Sequence, residues 1–502
     1  MKEIANLARI VTLRRSNHRP LLDLDGSSMG KEERLMKELV AKPEVTTIQL
    51  TKILYGTNSI NNQAAMRQLR ARVQDKLLNH LYFLDHSDPR LLVSRRYEVE
   101  CLGLLHKVTI LFLEGDYALS ERLLRRCMRL ALECEFISYA EQAARYLLYI
   151  YADQQQHNKY AAITKQLTEL RKLVACEQEA EQIVTDVRLG MVSAVTKRRA
   201  IVQKMPDFLT RLEELHKQAN TFGTFVALYR VRLTSAELGG HYDKIIHDTA
   251  MATKQLQEGK LNDKRFDQRL NQFMSVYAHL RGRQPAAGLK LAQLFAQDMH
   301  PTSSNWFYFY EHYLMLALHS GEYEQALRLL HVVHKNPSFA KQRPAPLERW
   351  ELLEAYTEFV QPQEELPPRR RSQLAVMAAL TVPEHSRDKR GHNVAILVFQ
   401  LLHYLRQRQL EPVLTRLERL RKYQQRHLRD AATLRSRTFL RLMLLMPEAE
   451  FNPAELVTKG QVLLAALRQA PQVGEADAET ELIPYEALWE LTLSILQQGA
   501  PQ

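Results

Sequence analysis

Histidine and cysteine are the residue types best suited to chemistry in this 502-residue chain, and their spacing is informative. His331 and His334 are three residues apart, so a helix would place both imidazoles on one face, a spacing that metal ligands use. No Cys, Asp or Glu lies in the same short segment to complete a ligand set. The four cysteines, at positions 101, 127, 134 and 176, form no C-x-x-C pair and stand among apolar residues. The pattern favours buried, reduced cysteines and predicts neither a metal site nor a cofactor.

The chain contains none of the short motifs that bring nucleotides or nucleophiles into a site. It has no G-x-x-x-x-G-K-[ST] loop and no G-x-G-x-x-G loop, both of which cradle phosphate with glycine-rich backbone. It also lacks the G-x-S-x-G turn that exposes a catalytic serine. These patterns predict a protein that is not an enzyme, with no catalytic residues to name. An active site assembled from residues distant in sequence is the alternative.

Arginine is concentrated in residues 362–441, which carry 17 Lys and Arg against 7 Asp and Glu. The guanidinium group suits bidentate contact with carboxylate or phosphate. Residues 442–502 are acidic, with nine Asp and Glu against two Lys and Arg. The basic region is therefore a docking surface for an acidic partner or nucleic acid, a solvated helix face, or a set of arginines that pair with the acidic tail. The candidate partner-binding residues are Arg406, Arg408, Arg416, Arg419 and Arg426.

A second group of candidates is aromatic. Residues 306–310 read WFYFY, and at helical spacing some of these rings must face inward. Core packing is the favoured interpretation. The alternative is that Trp306 and Tyr310 line a groove and anchor a bound peptide.

Helical periodicity dominates the elements that must position these residues. Apolar stripes recur at three- and four-residue spacing, the helix formers Leu, Ala, Glu, Arg and Lys fill the segments, and no hairpin pattern is found. With 45% apolar and 25% charged residues, the composition is that of a folded protein. The fold class is predicted to be all-α.

A short pattern recurs along the chain. Glycine, any residue and tyrosine are followed by a small or apolar residue, with further apolar positions four and seven residues later. Copies recur at one or two multiples of about 42 residues, which leaves missing or eroded copies near residues 199 and 364. The glycine would take the left-handed conformation of a tight turn between two helices. The copies begin at Gly115, Asn158, Gly240, Gly282, Gly321 and Arg408.

The copy with Gly321, Tyr323 and Ala326 resembles the G-x-Y-x-x-A element of the tetratricopeptide repeat family. The period here is longer than the 34 residues of that family. The resemblance implies a right-handed α-solenoid of stacked antiparallel helix pairs that offers its surface to a protein or peptide partner.

A third group of cations lies near the N-terminus. Two short helical patterns and a turn at residues 54–56 precede a longer helical pattern that carries Arg67, Arg70 and Lys76. This order resembles the helix-turn-helix half of bacterial regulators that precede tetratricopeptide arrays. The resemblance implies that the longer helix would lie in the major groove of DNA. No wing pattern follows, so a helical cap of the solenoid is the favoured interpretation.

The organisation predicted from these patterns has three parts. Residues 1–88 form the N-terminal cap or helix-turn-helix-like region, residues 89–446 the tetratricopeptide-like repeats with a loop or broken repeat near 361–393, and residues 447–502 an acidic helical cap. The predicted function is a non-enzymatic scaffold for a protein or peptide partner, and the alternative is a transcriptional regulator with a repeat-built sensor. No signal peptide and no run of about 18 apolar residues is found, which predicts a cytoplasmic protein without a membrane span.

Overall fold

The computed structural model describes residue 7 and residues 21–22, 30–42, 45–84, 93–193, 195–361, 392–428, 433–470 and 481–498. Every regular element within these ranges is a helix and none is a strand, which confirms the all-α prediction. Contacts divide the chain into two units, residues 1–167 and 168–502. The boundaries predicted at 88/89 and 446/447 stay predictions, and the loop predicted near 361–393 falls mostly on residues 362–391, outside the described ranges.

The first unit contains six helices and the start of a seventh within the described residues. Leu35, Leu54, Met66 and Leu69 form the core under its first three helices. A hydrogen bond from the backbone N–H of Asn62 to the Ser59 hydroxyl caps the third. The helices are α1 (Lys31–Ala41), α2 (Thr47–Tyr55), α3 (Ile60–His80), α4 (Val93–Leu113), α5 (Tyr117–Glu133), α6 (Ile137–Asp153) and α7 (His157–Val192).

The second unit holds the rest of the described helices. Its largest core runs from Val276 to Trp489 and contains all three tryptophans of the chain. The helices are α8 (Val195–Ala219), α9 (Phe222–Leu238), α10 (Tyr242–Gln257), α11 (Gln268–Arg281), α12 (Pro285–Phe295), α13 (Ser304–His319), α14 (Tyr323–Lys335), α15 (Pro344–Phe359), α16 (Asn393–Arg406), α17 (Leu410–His427), α18 (Leu434–Leu444), α19 (Pro453–Gln469) and α20 (Tyr485–Gln497).

Most helices that are neighbours in sequence are neighbours in space within each unit. In the first unit α4 packs on α5 and α5 on α6, and in the second unit the order continues in the same way from α8 to α15 and from α16 to α20. Some helices that are two apart in sequence also pack on each other: α4 contacts α6, and α11 contacts α13. No helix buries its apolar stripe alone, so stacking of successive helices builds the hydrophobic cores, as in helical repeat proteins. The packing is compatible with a solenoid.

One type of turn joins many of these helices. A residue with positive φ ends the helix, and the N–H of the next residue donates to the carbonyl five residues earlier, at 2.7–3.1 Å. This is the Schellman arrangement, which satisfies carbonyls that the helix end leaves without partners. Three of the predicted left-handed glycines, Gly115, Gly240 and Gly321, are confirmed, with φ between 68° and 74°. The turns lie at Gly115, Glu135, Gln155, Gly240, Arg283, Gly321 and Arg408.

The repeat register predicted from sequence is wrong at one copy, and the turn residue is misplaced at another. The copy assigned to Gly282 predicts buried Ala287 and Leu294, but both are exposed, and Gly288 and Ala292 are buried instead. The reason is that Arg283, not the glycine, takes the left-handed conformation and moves the helix start by one residue. At the copy assigned to Asn158 the predicted apolar positions Ile163, Leu167 and Leu170 are buried, but the left-handed residue of the turn is Gln155.

The region of the eroded copy predicted near residue 199 is built from two long helices. α7 has 36 residues and α8 has 25, with Pro206 inside α8. The two helices approach each other closely at Gly190. A β-carbon there would lie 2.1 Å from the Ile201 side chain, so the position requires glycine. Among the described residues no helix is both long and apolar enough to cross a membrane.

Candidate partner-binding surfaces

The outer face of α17 carries two of the five candidate arginines named from the sequence. Val413, Leu417, Leu420 and Tyr423 face the core at three- and four-residue spacing. The opposite side therefore faces solvent, and Arg419, Lys422 and Arg426 are exposed on it. Their spacing of three and four residues places them along one side of the helix. We call Arg419, Lys422 and Arg426 the α17 basic face.

Arg416 flanks the α17 basic face and is half-buried. Its guanidinium carbon lies 5.5 Å from the centre of the Tyr404 ring, a cation–π distance. Lys422 has one nearby acid, Glu418, at 3.7 Å on the same helix. Pairs of this kind between exposed side chains contribute little and are screened by salt. The pair with Glu418 therefore leaves Lys422 exposed on the α17 basic face.

Arg406 and Arg408 have contacts inside the fold. Arg406 donates to the carbonyl of Phe359 at 2.8 Å, and its guanidinium carbon lies 3.6 Å from the centre of the Phe359 ring. Burial lowers the pKa of Arg406 below its ordinary value. Arg408 is the left-handed residue before α17 and donates to the carbonyl of Gln498 at 2.9 Å. The structure thus gives both arginines positions at helix junctions and does not place them on the α17 basic face.

The acidic C-terminal region pairs with an arginine that sequence reasoning did not single out. Arg435 on α18 is 9% exposed and reaches both Glu481 and Glu486. Its Nη2 lies 2.9 Å from Glu481 Oε2, its Nη1 lies 2.9 Å from Glu486 Oε1, and Nη1 also donates to the Leu467 carbonyl at 2.7 Å. We call Arg435, Glu481 and Glu486 the C-terminal clamp. Pairing of the acidic tail with the basic region therefore occurs at Arg435.

Two further contacts bring the C-terminal region onto earlier helices of the second unit. Arg283, after α11, donates to the Ala470 carbonyl at 3.1 Å. The Nε2 of His319, at the end of α13, lies 2.8 Å from the carbonyl oxygen of Glu481. Burial lowers the pKa of both Arg283 and His319. A neutral imidazole therefore donates this hydrogen bond through its Nε2–H.

Trp306 and Tyr310 lie in the core. They are 4% and 9% exposed, and their rings stack with centroids 4.0 Å apart. Burial raises the pKa of Tyr310. The core-packing interpretation therefore describes these two residues, and neither presents its ring to solvent as an anchor for a peptide.

The histidine pair predicted from sequence does not meet further ligands. His331 is exposed, whereas His334 is half-buried with its Nε2 3.2 Å from a Glu354 carboxylate oxygen. Within the ranges that the structure describes, no group of three or more His, Cys, Asp and Glu side chains could hold a metal ion. Cys101, Cys127 and Cys134 are buried thiols and Cys176 is half-buried. His331 therefore faces solvent, and His334 pairs with a single carboxylate, as histidines on a helix surface commonly do.

The three cations predicted for DNA contact have different surroundings. Arg67 and Arg70 are exposed on α3. Lys76, in contrast, lies 2.5 Å from a carboxylate oxygen of Glu32 on α1, and Arg72 shares that carboxylate at 3.2 Å. The hydrogen bond from Lys76 is the main reason that the pKa of Glu32 lies below its ordinary value. Lys76 thus joins α3 to α1, and only Arg67 and Arg70 remain directed to solvent.

Sequence reasoning missed a groove on the first unit. It has a volume of about 620 Å³ and lies between α5, α6 and the first turns of α7. Four arginines of α5, at positions 122, 125, 126 and 129, were the available signal, because their spacing fills one helix face with positive charge. The lining residues are Arg125, Met128, Arg129, Leu132, Leu147, Tyr151, Lys159, Ala162, Ile163 and Gln166.

The geometry defines a class of protein, an all-α array of sequentially packed helices with basic surfaces. Comparison of the chain with protein-family models, curated proteins and solved structures gave no match in any of the three.

Proposed function

We propose that this chain is a non-enzymatic interaction scaffold of tetratricopeptide-like architecture that binds an acidic protein or peptide partner. The observation that carries the proposal is the α17 basic face, where three cations at helical spacing are exposed. Exposed charge of one sign steers an oppositely charged partner and sets the rate of association. Stacked helix pairs supply a rigid support for such a surface. The solenoid itself and its right-handed twist are part of this proposal.

Charge reversal on the α17 basic face tests the proposal. Affinity purification from the source organism, quantified by mass spectrometry, would compare the wild-type chain with the double variant Arg419→Glu, Arg426→Glu. We expect recovery of the main partner to fall by about tenfold at low salt, because each reversal replaces an attraction by a repulsion. Raising the salt concentration should weaken the wild-type interaction as well.

The matched control is the double variant Arg188→Glu, Lys204→Glu. Both residues are exposed in the second unit and form no ion pair with the described part of the chain, so the change in net charge is the same. Recovery should stay at the wild-type level. Equal losses in both double variants, or no loss in either, would contradict the α17 basic face as the docking surface. Substrate turnover by the purified chain would contradict the non-enzymatic assignment.

DNA binding through α3 is the second candidate. It is favoured by the exposure of Arg67 and Arg70 together with Gln63 and Gln74, because glutamine and arginine are side chains that read base edges. We expect the full chain to shift duplex DNA at about 50 mM salt, with a steep loss on raising the salt. Arg67→Ala with Arg70→Ala should weaken the shift by about tenfold, and Lys76→Ala should not, because Lys76 is held by Glu32. Absence of any shift at low salt would eliminate this candidate.

A further inference from the structure

The groove on the first unit combines an apolar floor with a cationic rim. Met128, Leu147 and Ile163 are 8%, 2% and 6% exposed and form the floor. Leu132 is 38% exposed at the edge and extends the apolar surface outward. A floor of this kind takes an aliphatic or aromatic side chain, and the flexible thioether of methionine adapts to its shape.

Two cations of the rim are held in place by one carboxylate. Glu121 accepts from Arg125 Nε at 3.0 Å and from Lys159 Nζ at 3.3 Å, and it also accepts from the Tyr151 hydroxyl at 3.0 Å. Burial raises the pKa of Glu121, but the hydrogen bonds from Arg125, Tyr151 and Lys159 outweigh it, and the pKa lies below its ordinary value. The carboxylate is therefore charged at neutral pH and keeps both cations beside the groove.

The ring of Tyr151 supports the same two cations. The Lys159 Nζ lies 5.3 Å and the Arg125 guanidinium carbon 5.9 Å from the ring centre, both within cation–π range. Tyr151 is itself 2% exposed, so its position is fixed by the core. Side chains held in this way lose less conformational freedom when a ligand binds. The arrangement is preorganised for anions.

Arg129 completes the rim and has no internal role. It is exposed, lines the groove one turn after Arg125, and makes no ion pair or hydrogen bond with the described part of the chain. With three cations and one carboxylate, the groove keeps a surplus of positive charge beside its apolar floor. Bases of a nucleic acid would need an accessible aromatic face to stack on, and the one ring that lines the groove is buried.

We propose that this groove docks an acidic peptide segment that carries an aliphatic or aromatic anchor. The anchor seats on Met128, Leu147 and Ile163, and carboxylates on either side of it pair with Arg129, Arg125 and Lys159. The site lies in a different unit from the α17 basic face and does not rest on the function proposed for that face.

The test is fluorescence anisotropy with the full chain and a labelled peptide of sequence EDLEDLLEDF. Two control peptides remove one feature each: EDSEDSSEDS lacks the anchors, and KKLKKLLKKF reverses the charge. We expect the wild-type chain to bind the first peptide with a Kd below about 1 mM and about tenfold more tightly than either control. Equal affinity for EDSEDSSEDS, or no binding of the first peptide, would overturn the proposal.

Variants of the chain locate the site. Arg129→Glu should weaken binding of EDLEDLLEDF by about tenfold without changing the thermal melt, because the residue is exposed. Arg145→Glu, an exposed arginine of α6 that does not line the groove, should bind within about twofold of wild type. Equal affinity of wild type and Arg129→Glu would overturn the assignment to the groove.

Two further measurements distinguish the groove from the α17 basic face and the peptide from other ligands. The double variant Arg419→Glu, Arg426→Glu should bind the peptide normally, and a loss there with none in Arg129→Glu would transfer the binding to the α17 basic face. Vesicles that contain phosphatidylserine, and single-stranded oligothymidine, should bind less tightly than the peptide. Tighter binding of either, sensitive to Arg129→Glu, would overturn the peptide as the occupant.

Discussion

Replacing Arg435 by alanine is expected to destabilise the second unit by about 3–5 kcal/mol. The guanidinium is 9% exposed and satisfies two carboxylates and the Leu467 carbonyl at once. Burial lowers its pKa, but the hydrogen bonds to Glu481 and Glu486 outweigh this and raise the pKa above the ordinary value. Without Arg435 two partly buried carboxylates lose their counterion, and the cost is that of leaving them unpaired.

Urea unfolding followed by tryptophan fluorescence measures this effect. All three tryptophans lie in the second unit and are at most 4% exposed, so their emission reports on that unit. The control is the triple variant Arg435→Met, Glu481→Gln, Glu486→Gln, which removes the charges together and should recover most of the lost free energy. A stability of Arg435→Ala within about 1 kcal/mol of wild type would contradict the role assigned to Arg435 as the counterion of Glu481 and Glu486.

The unfolding free energies of wild type and Arg435→Ala should respond differently to acid. Burial raises the pKa of Glu486, but the hydrogen bond from Arg435 outweighs it, so the folded-state pKa lies below the ordinary value of 4.5. The stabilisation is thus present above pH 4.5 and is lost as the pH falls through the folded-state pKa. The difference in unfolding free energy between wild type and Arg435→Ala should therefore narrow as the pH falls below 4.5.

Replacing Phe399 by alanine should cost the second unit about 3–5 kcal/mol. The ring is fully buried on α16, with centroids 5.3 Å from Tyr356 and 5.7 Å from Phe359 on α15. The Tyr356 hydroxyl adds a hydrogen bond of 2.6 Å to the Ala395 carbonyl. Phe399 thus joins two helices that are separated in sequence by residues 360–392, and its removal leaves a cavity at their junction.

Phe399→Leu is the matched control, because leucine keeps most of the apolar volume. We expect it to cost less than about 1.5 kcal/mol in the same urea titration. Phe399 packs on Phe359, and Arg406 lies over the Phe359 ring. Phe399→Ala should therefore also loosen the contact between Arg406 and Phe359. Similar costs for the alanine and leucine variants would show that the cavity does not set the stability of this junction.

The sequence predicted helices and turns well where glycine marks the turn. Gly115, Gly240 and Gly321 have the expected positive φ. The prediction failed at Arg283 and Gln155, because a Schellman turn is held by backbone hydrogen bonds and accepts side chains other than glycine at modest cost. An apolar stripe alone fits two neighbouring registers, so nothing local corrected the error.

The candidate surfaces were predictable only in part. Periodicity was sufficient to place Arg419 and Arg426 on a common side of α17. It could not show which arginine meets the acidic tail, since Arg435 and Glu486 are 51 residues apart and their contact depends on tertiary packing. The groove on the first unit was also out of reach, because Glu121 and Lys159 come together from different helices, 38 residues apart.

The returning C-terminal region has a mechanical consequence. A plain stack of helix pairs that is pulled from its end peels away one pair at a time, because each pair is held only by the next. Here α20 packs on both α16 and α18, and the segment that leads to it is tied to Arg283, His319 and Arg435. Tension on the C-terminus is thus shared among helices from α11 to α18, so these contacts must rupture together and the stack resists being unzipped from that end.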